Sequence, residues 1–212
     1  MIKLDISETE LWNRFENGDV KAFSIIYEHH VDDMFRYGMK ICGDKEVALD
    51  SIHDVFVKIF STHKVHSQIR NPKAYLLKAL RGQIYDNMRH EKRLPTIGID
   101  VLPFNVEWEL SERVENDKET REKIECQYRQ AISGMTARQK EAVYLRYTME
   151  LSYEDISVLM DMSVQSLRNL LSRTMLKIRK IMPIFIFSSI FFFLNVIIYK
   201  VFLQSIYRNW FL

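Results

Sequence analysis

The sequence predicts an all-α protein: two small helical domains joined by a linker, followed by a hydrophobic C-terminal helix. Three observations carry this. Turn residues are scarce: 6 Gly and 4 Pro in 212 residues leave too few punctuation points for many short strands. Apolar residues recur every three to four positions over long stretches, the period of a helix with one buried face. Ser, Thr and Asn stand just ahead of several of these stretches, where N-caps belong.

Taken in order, Ser7 and Glu10 form a capping-box pattern before Leu11. Phe23, Ile26, Tyr27, Val31, Met34, Phe35, Gly38 and Ile41 then define the face of a long helix. A second helix is expected over 46–60, with Leu49, Ile52, Val55, Phe56, Ile59 and Phe60 inward. After a polar loop, 61–70, Asn71 is placed to cap and Pro72 to begin a third helix that runs to about Lys92. Its inward face is Leu76, Leu77, Leu80, Ile84 and Met88. Residues 93–110 hold Pro95, Gly98 and Pro103, lack a period and read as linker; 111–127 are acidic and helical in character.

In the second unit Thr136 and Gln139 make another capping box, ahead of Ala142, Val143 and Tyr147. Ser152 caps a short helix over 153–160. Asp161 falls where a left-handed residue is often needed, a conformation Asp tolerates better than most. Ser163 caps a longer helix bearing Leu167, Leu170, Leu171, Thr174 and Ile178. A short helix, a three-residue turn and a longer basic helix make the helix-turn-helix pattern.

From Ile181 to Leu203 the chain carries one charge, Lys200. As a helix these 23 residues would be about 34 Å long, enough for a bilayer core of about 30 Å. Lys177, Arg179 and Lys180 precede the segment and place its N-terminal side in the cytoplasm. Two readings stand: anchorage to the inner face of the cytoplasmic membrane, or a helix buried in the fold or in a partner. The N-terminus has no signal-peptide pattern, and the two cysteines, Cys42 and Cys126, stand apart, which favours a reducing, cytosolic compartment.

Catalysis finds little support. There is no Gly-rich phosphate loop, no HExxH and no GxSxG. His29 and His30 are adjacent and cannot share a helix face, and His63 and His66 lie in a polar loop without a nearby Cys. Asp32–Asp33 and Asp50/Asp54 are better explained as helix-surface charge. The expectation is therefore no enzyme, no cofactor and no metal.

Charge points elsewhere. The net charge of +2 conceals segments of −5 (1–63), +5 (64–92), −4 (93–127) and +4 (128–180). Two basic blocks fit phosphate-binding surfaces, and also ordinary solvated helix faces. On the second helix of the helix-turn-helix, Gln165, Ser166, Arg168, Asn169 and Arg173 are placed to reach base edges, with Lys177, Arg179 and Lys180 near phosphates. On the third N-terminal helix, Lys73, Lys78, Arg81, Arg89 and Lys92 interleave with Tyr75, Tyr85, Gln83 and Asn87. Basic groups track a backbone and aromatics stack on unpaired bases; the two tyrosines fit half-buried core positions equally well. The preceding loop is a candidate pocket for a flipped base.

These stretches resemble a sigma-70 family RNA polymerase sigma factor of the extracytoplasmic-function (ECF) type. VALDSIHDVFVKIF (47–60) is similar to the helix that docks on the polymerase β′ clamp. NPKAYLLKALRGQIYDNMRHEKR (71–93) is similar to the helix that melts and reads the −10 element, and 135–180 to sigma-4 with its −35-reading helix. The resemblance implies sigma-2 over 8–93, a linker over 94–127 and sigma-4 over 128–180, with 181–203 outside the pattern. It implies polymerase contacts at Asp50, His53, Asp54 and Phe56. It matches Tyr75, Arg81, Asp86 and Arg89 to the −10 helix and Ser166, Arg168, Asn169 and Arg173 to the −35 helix; with the polar and basic residues read above, the expected −10 contacts are Tyr75, Lys78, Arg81, Gln83, Asn87 and Arg89, and the −35 contacts Gln165, Ser166, Arg168, Asn169, Arg173 and Lys177. Expected partners are core RNA polymerase (β′ clamp and β flap), promoter DNA and an anti-sigma factor. His53 for the usual Gln, Gly82 for a common Asn, Leu170 for a basic residue, and Ser157 and Asp161 for Ala and Gly depart from the family pattern. The alternatives are a stand-alone helix-turn-helix regulator, membrane-tethered or not, and an anchored protein whose basic helices face anionic lipid.

Overall fold

The computed structural model describes residues 7–62, 71–90, 103–105 and 118–181. Among them all regular structure is helical: α1 (Glu8–Glu16), α2 (Val20–Cys42), α3 (Lys45–Thr62), α4 (Pro72–His90), α5 (Lys118–Ser133), α6 (Ala137–Tyr147), α7 (Tyr153–Leu159) and α8 (Val164–Ile181).

Local chemistry sets the helix starts. Ser7 Oγ accepts from the Glu10 amide at 3.2 Å, but the reciprocal half of the expected box is diverted, because the Glu10 carboxylate takes Arg14 Nε at 3.0 Å. At Thr136 both halves form: its hydroxyl accepts from the Gln139 amide at 3.2 Å and Gln139 Oε1 from the Thr136 amide at 3.1 Å. Asn71 Oδ1 accepts from the Ala74 amide at 3.1 Å, with Pro72 at the first helical position. Gly43 ends α2 at φ +66°, a left-handed C-cap that glycine reaches without strain.

The chain divides into two compact units, residues 1–108 with 136–171, and residues 109–135 with 172–212. The first unit holds α1–α4, the 103–105 segment, α6, α7 and the first half of α8. Its buried side chains form one continuous cluster, from Leu11, Trp12 and Phe15 through Leu76, Leu77, Leu80 and Ile84 to Leu145, Ile156, Leu167 and Leu171. Each such aliphatic side chain contributes about 1.5–3 kcal/mol when fully buried. Gly38 lets α2 lie close against its neighbours: a Cβ there would meet Ile84 Cδ1 at 3.4 Å and Ala48 Cβ at 3.5 Å. The two expected domains are thus separate in sequence but share one core.

Some expectations need correction. Leu49 and Phe60 are 44% and 40% exposed rather than inward; Val47, Ala48 and Ser51 complete the buried face of α3. Helix periodicity fixes the face only to within a residue or so at its edges. The stretch read wholly as linker contains Phe104, only 4% exposed, held by the Asn105 amide donating to the Lys40 carbonyl at 2.7 Å. In the second unit, α5 runs across the expected boundary at 127/128 and carries an Arg129–Glu125 ion pair at 2.5 Å. No helix among the described residues is long and apolar enough to cross a membrane. The span read over 181–203 lies, beyond Ile181, outside the described residues; of the loop expected over 61–70 as a base pocket, Ser61 and Thr62 end α3 and the rest lies outside them too.

Candidate nucleic-acid interface

The helix-turn-helix forms as its sequence dictates. Ser152 Oγ caps α7 by accepting from the Asp155 amide at 3.0 Å. The turn closes with the Met162 amide donating to the Ser157 carbonyl at 2.9 Å, and Asp161 takes φ +50°. Ser163 Oγ accepts from the Ser166 amide at 3.1 Å and opens α8. Leu167 and Leu171 point inward, at 0% and 3% exposure, which turns Gln165, Ser166, Arg168 and Asn169 to solvent. Gln165 donates to Asn169 Oδ1 at 3.2 Å, so two amide side chains lie side by side. Arg173 and Lys177 are also exposed.

Tyr153, which the sequence did not single out as functional, sits under this surface. The Arg146 and Arg168 guanidinium carbons lie over its ring, 4.8 and 5.5 Å from the ring centre. Arg146 is itself held by donating to the Leu151 carbonyl at 2.8 Å. Aromatic stacking restricts where the Arg168 guanidinium points while leaving its edge open to hydrogen bond.

The basic groups of α4 are differently placed. Lys78 Nζ donates to the Val158 carbonyl at 2.7 Å and pairs with Asp161 at 2.9 Å. Arg81 is 5% exposed, and its Nε donates at 3.0 Å to Glu141, itself 6% exposed. The same carboxylate oxygen accepts from the Tyr37 hydroxyl at 2.6 Å. Burial, then the Glu141 charge beside it, push the Tyr37 hydroxyl well above its ordinary pKa. Asn71 Nδ2 donates to Asp155 at 2.8 Å. The aromatic flank is closed by Phe104, 6.1 Å from Tyr37 and 5.5 Å from Tyr144 between ring centres, with Lys40 over Tyr144 at 5.4 Å. Burial pushes the Tyr144 hydroxyl up to about 12.

The remaining expected −10 residues divide. Gln83 donates to Asp54 and to Asn87, both at 2.9 Å, and accepts from Lys58 at 2.5 Å; Asn87 donates to Ser51 Oγ at 3.1 Å. Both therefore tie α4 to α3. Tyr75 is half-buried, edge-on to Trp12 at 6.4 Å, and burial raises its hydroxyl. Arg89 is exposed and lies over Tyr85 at 5.9 Å. Of the expected polymerase contacts, Asp50 and His53 are exposed and Asp54 is half-buried. Phe56 is 4% exposed and packs against Tyr27 and Phe23 at 4.7 and 5.9 Å, so it holds α3 to α2. Sequence reasoning passed over Leu49, Val57 and Phe60 as exposed apolar groups, at 44%, 48% and 40%; their i, i+8 and i+11 spacing was the available signal. It also passed over the pairing of Glu141, Asp155 and Asp161 with α4, which no local pattern marks. Among the described residues no cluster of His, Cys, Asp or Glu has a metal-binding arrangement.

Comparison with known proteins gives the class. Residues 26–94 match the profile of Sigma-70 region 2 and residues 127–178 that of Sigma-70 region 4, together more than half of the chain. The chain belongs to the sigma-70 family and is an RNA polymerase sigma factor, a non-enzymatic transcription initiation factor. It is of the ECF type: it is similar to the ECF RNA polymerase sigma factor SigM of Bacillus subtilis, 24% identical over 150 residues, which cover 70% of this chain and 87% of the relative. The fold resembles the sigma factor RpoE crystallised with the anti-sigma factor NepR from Bartonella quintana. That match has a TM-score of 0.54 and 19% identity, over 77% of this chain and 98% of that one. It also resembles CnrH in complex with the cytosolic domain of CnrY, with a TM-score of 0.55 and 13% identity, over 82% and 95%.

Proposed function

We propose that α8 reads the −35 duplex through Gln165, Ser166, Arg168 and Asn169, with Arg173 and Lys177 on the flanking backbone. On the same reading α4 engages the −10 strand through Lys78, Arg81 and Arg89, with Tyr75 as the aromatic neighbour. Gln83 and Asn87 act through the α3–α4 seam. Region 2 docks on the β′ clamp of core polymerase through Asp50, His53 and Asp54, held in place by Phe56, and region 4 meets the β flap. The observation that carries this reading is the exposed polar set on the first turns of α8 above a fully buried Leu167, the placement a helix in the major groove requires. That RpoE was crystallised with the anti-sigma factor NepR, and CnrH solved in complex with the cytosolic domain of CnrY, supports an anti-sigma partner for this chain as well.

Run-off transcription with core polymerase on a pool of promoter fragments tests the reading. The full chain should give discrete new start sites, and Arg168→Ala with Arg173→Ala should abolish those that depend on the −35 element. Unchanged −35 dependence sinks the recognition-helix assignment. Tight duplex binding by the chain alone, without core binding, favours a stand-alone regulator.

A further inference from the structure

The seam between α3 and α4 carries a chain of side-chain hydrogen bonds that runs in one direction. Lys58 Nζ donates to Gln83 Oε1 at 2.5 Å, and Gln83 Nε2 donates to Asn87 Oδ1 at 2.9 Å. Asn87 Nδ2 donates to Ser51 Oγ at 3.1 Å, and the fully buried Ser51 hydroxyl donates to the Val47 carbonyl at 2.7 Å. The second N–H of Gln83 goes to Asp54 Oδ2 at 2.9 Å, and Asn87 Nδ2 also lies 3.5 Å from that oxygen. Lysine can only donate and an ionised carboxylate can only accept, so these two partners fix which way the Gln83 amide faces. Each side-chain amide has two N–H donors, and both amides commit theirs inside the protein. Pairing with adenine needs a donor and an acceptor from the same amide. Asp54 is half-buried, and its other oxygen, Oδ1, has no hydrogen-bond partner among the described residues.

We propose that Gln83 and Asn87 are positioning residues for core polymerase: they hold Asp54 by Oδ2 and leave Oδ1 for a cationic or N–H donor of the polymerase. This rests on the reading of Asp54 as a polymerase contact, and it takes the two amides out of −10 reading. A carboxylate already fixed by its neighbours loses less freedom on docking, and that gain appears as affinity. Lys58 occupies the Gln83 carbonyl, so this amide presents its N–H groups to Asp54 and Asn87. Hydrogen bonds in a continuous chain polarise one another, so a cut at Gln83 loosens Asp54 from the buried Ser51 end as well.

The experiment is a double-mutant cycle on the full chain, labelled with a fluorophore at its N-terminus and titrated with core RNA polymerase. The four proteins are the parent, Gln83→Met, Asp54→Ala and the double variant, with helical content checked by circular dichroism. A second readout is run-off transcription at saturating core on promoters randomised over the −10 element. Gln83→Met should bind core about three- to tenfold more weakly. That loss should vanish in the Asp54→Ala background, because the amide then has no carboxylate to hold. The ranking of −10 sequences should stay that of the parent. If Asp54→Ala weakens core binding and Gln83→Met does not, the positioning role is overturned while the reading of Asp54 stands. If Asp54→Ala binds core as the parent does, that reading fails and the inference falls with it. Equal losses from Gln83→Met in both backgrounds show that Gln83 acts elsewhere and overturn the proposal. A changed −10 ranking overturns it in favour of base reading. Should Gln83→Met lose helical content, Gln83→Glu takes its place in the same cycle, since it keeps the shape and the Lys58 partner and lacks only the N–H donors.

Discussion

The two basic helices of this sigma factor have similar sequence signatures and opposite situations. On α8 the polar residues of the first turns face solvent, and Arg168 rests on an aromatic ring. On α4, Lys78 and Arg81 are matched by carboxylates, and one of the two pairs is buried. Counting Lys and Arg along the chain therefore ranks the two helices alike, whereas α8 turns its charge to solvent and two cations of α4 are matched within the protein. What distinguishes them is the company of acidic residues more than fifty positions away.

The contrast breaks most sharply at Arg81. Arg81→Ala strands Glu141 in the core, a loss of up to about 3–5 kcal/mol, reduced to the extent that α6 shifts and lets Glu141 reach water. Arg168→Ala should stay within about 0.5 kcal/mol. Urea unfolding of the two variants measures the difference, and equal small losses would erase it. Next in size is Tyr37→Phe, which removes a donor from a buried carboxylate; hydrogen bonds to charged groups are worth about 1.5–3 kcal/mol, and the midpoint should fall accordingly without a change in slope.

On the α8 side, Tyr153→Leu should lower −35-dependent transcription a few-fold, as loss of roughly 0.5–1 kcal/mol of cation–π contact implies. Tyr153→Phe should retain it, because the ring and not the hydroxyl meets Arg168; equal losses in the two variants would show that the hydroxyl, and not the ring beneath Arg168, carries the effect.

The smallest effect is on pH. Glu8 is held below its ordinary 4.5 chiefly by His30, whose Nε2 lies 2.8 Å from its carboxylate. At Asp33 burial pushes upward but is outweighed by Lys73 at 2.6 Å and by Arg36, which leave the carboxyl below its ordinary 3.8. Depressed carboxyls add stability above their unfolded values, and it is lost as pH falls through the folded ones. Melting temperature should thus begin to drop as pH passes below about 4.5, and Asp33→Asn should flatten the lowest part of that decline.

Much of this was legible in sequence, for physical reasons. Helices with strong caps and long apolar faces, such as α4 behind Asn71–Pro72 and α8 behind Ser163, are specified within a few residues of their own chain. So is the left-handed Asp161, whose place in the turn is local; Glu150, at φ +58°, gave no comparable sign. The candidate residues of α8 were legible because a helix with a buried Leu167 and Leu171 leaves one face outward. The α4 site was less so. Gln83 and Asn87 look like base readers by type, yet their partners Asp54 and Ser51 come from another helix. Glu141 looks like surface charge until it meets Tyr37 and Arg81. Pairing between distant segments leaves no period, cap or spacing to read.

Phe104 gives the connection between the domains a second meaning. Buried between Tyr37 and Tyr144 and held by the Asn105 amide on Lys40, it pins the connecting chain partway along. Region 4 is thereby tethered from residue 105 rather than from the end of α4, and effective concentration rises as a tether shortens, roughly as the −3/2 power of its length. A single aromatic anchor thereby sets the length of chain that links the two regions, without contributing a group to either surface read as facing DNA.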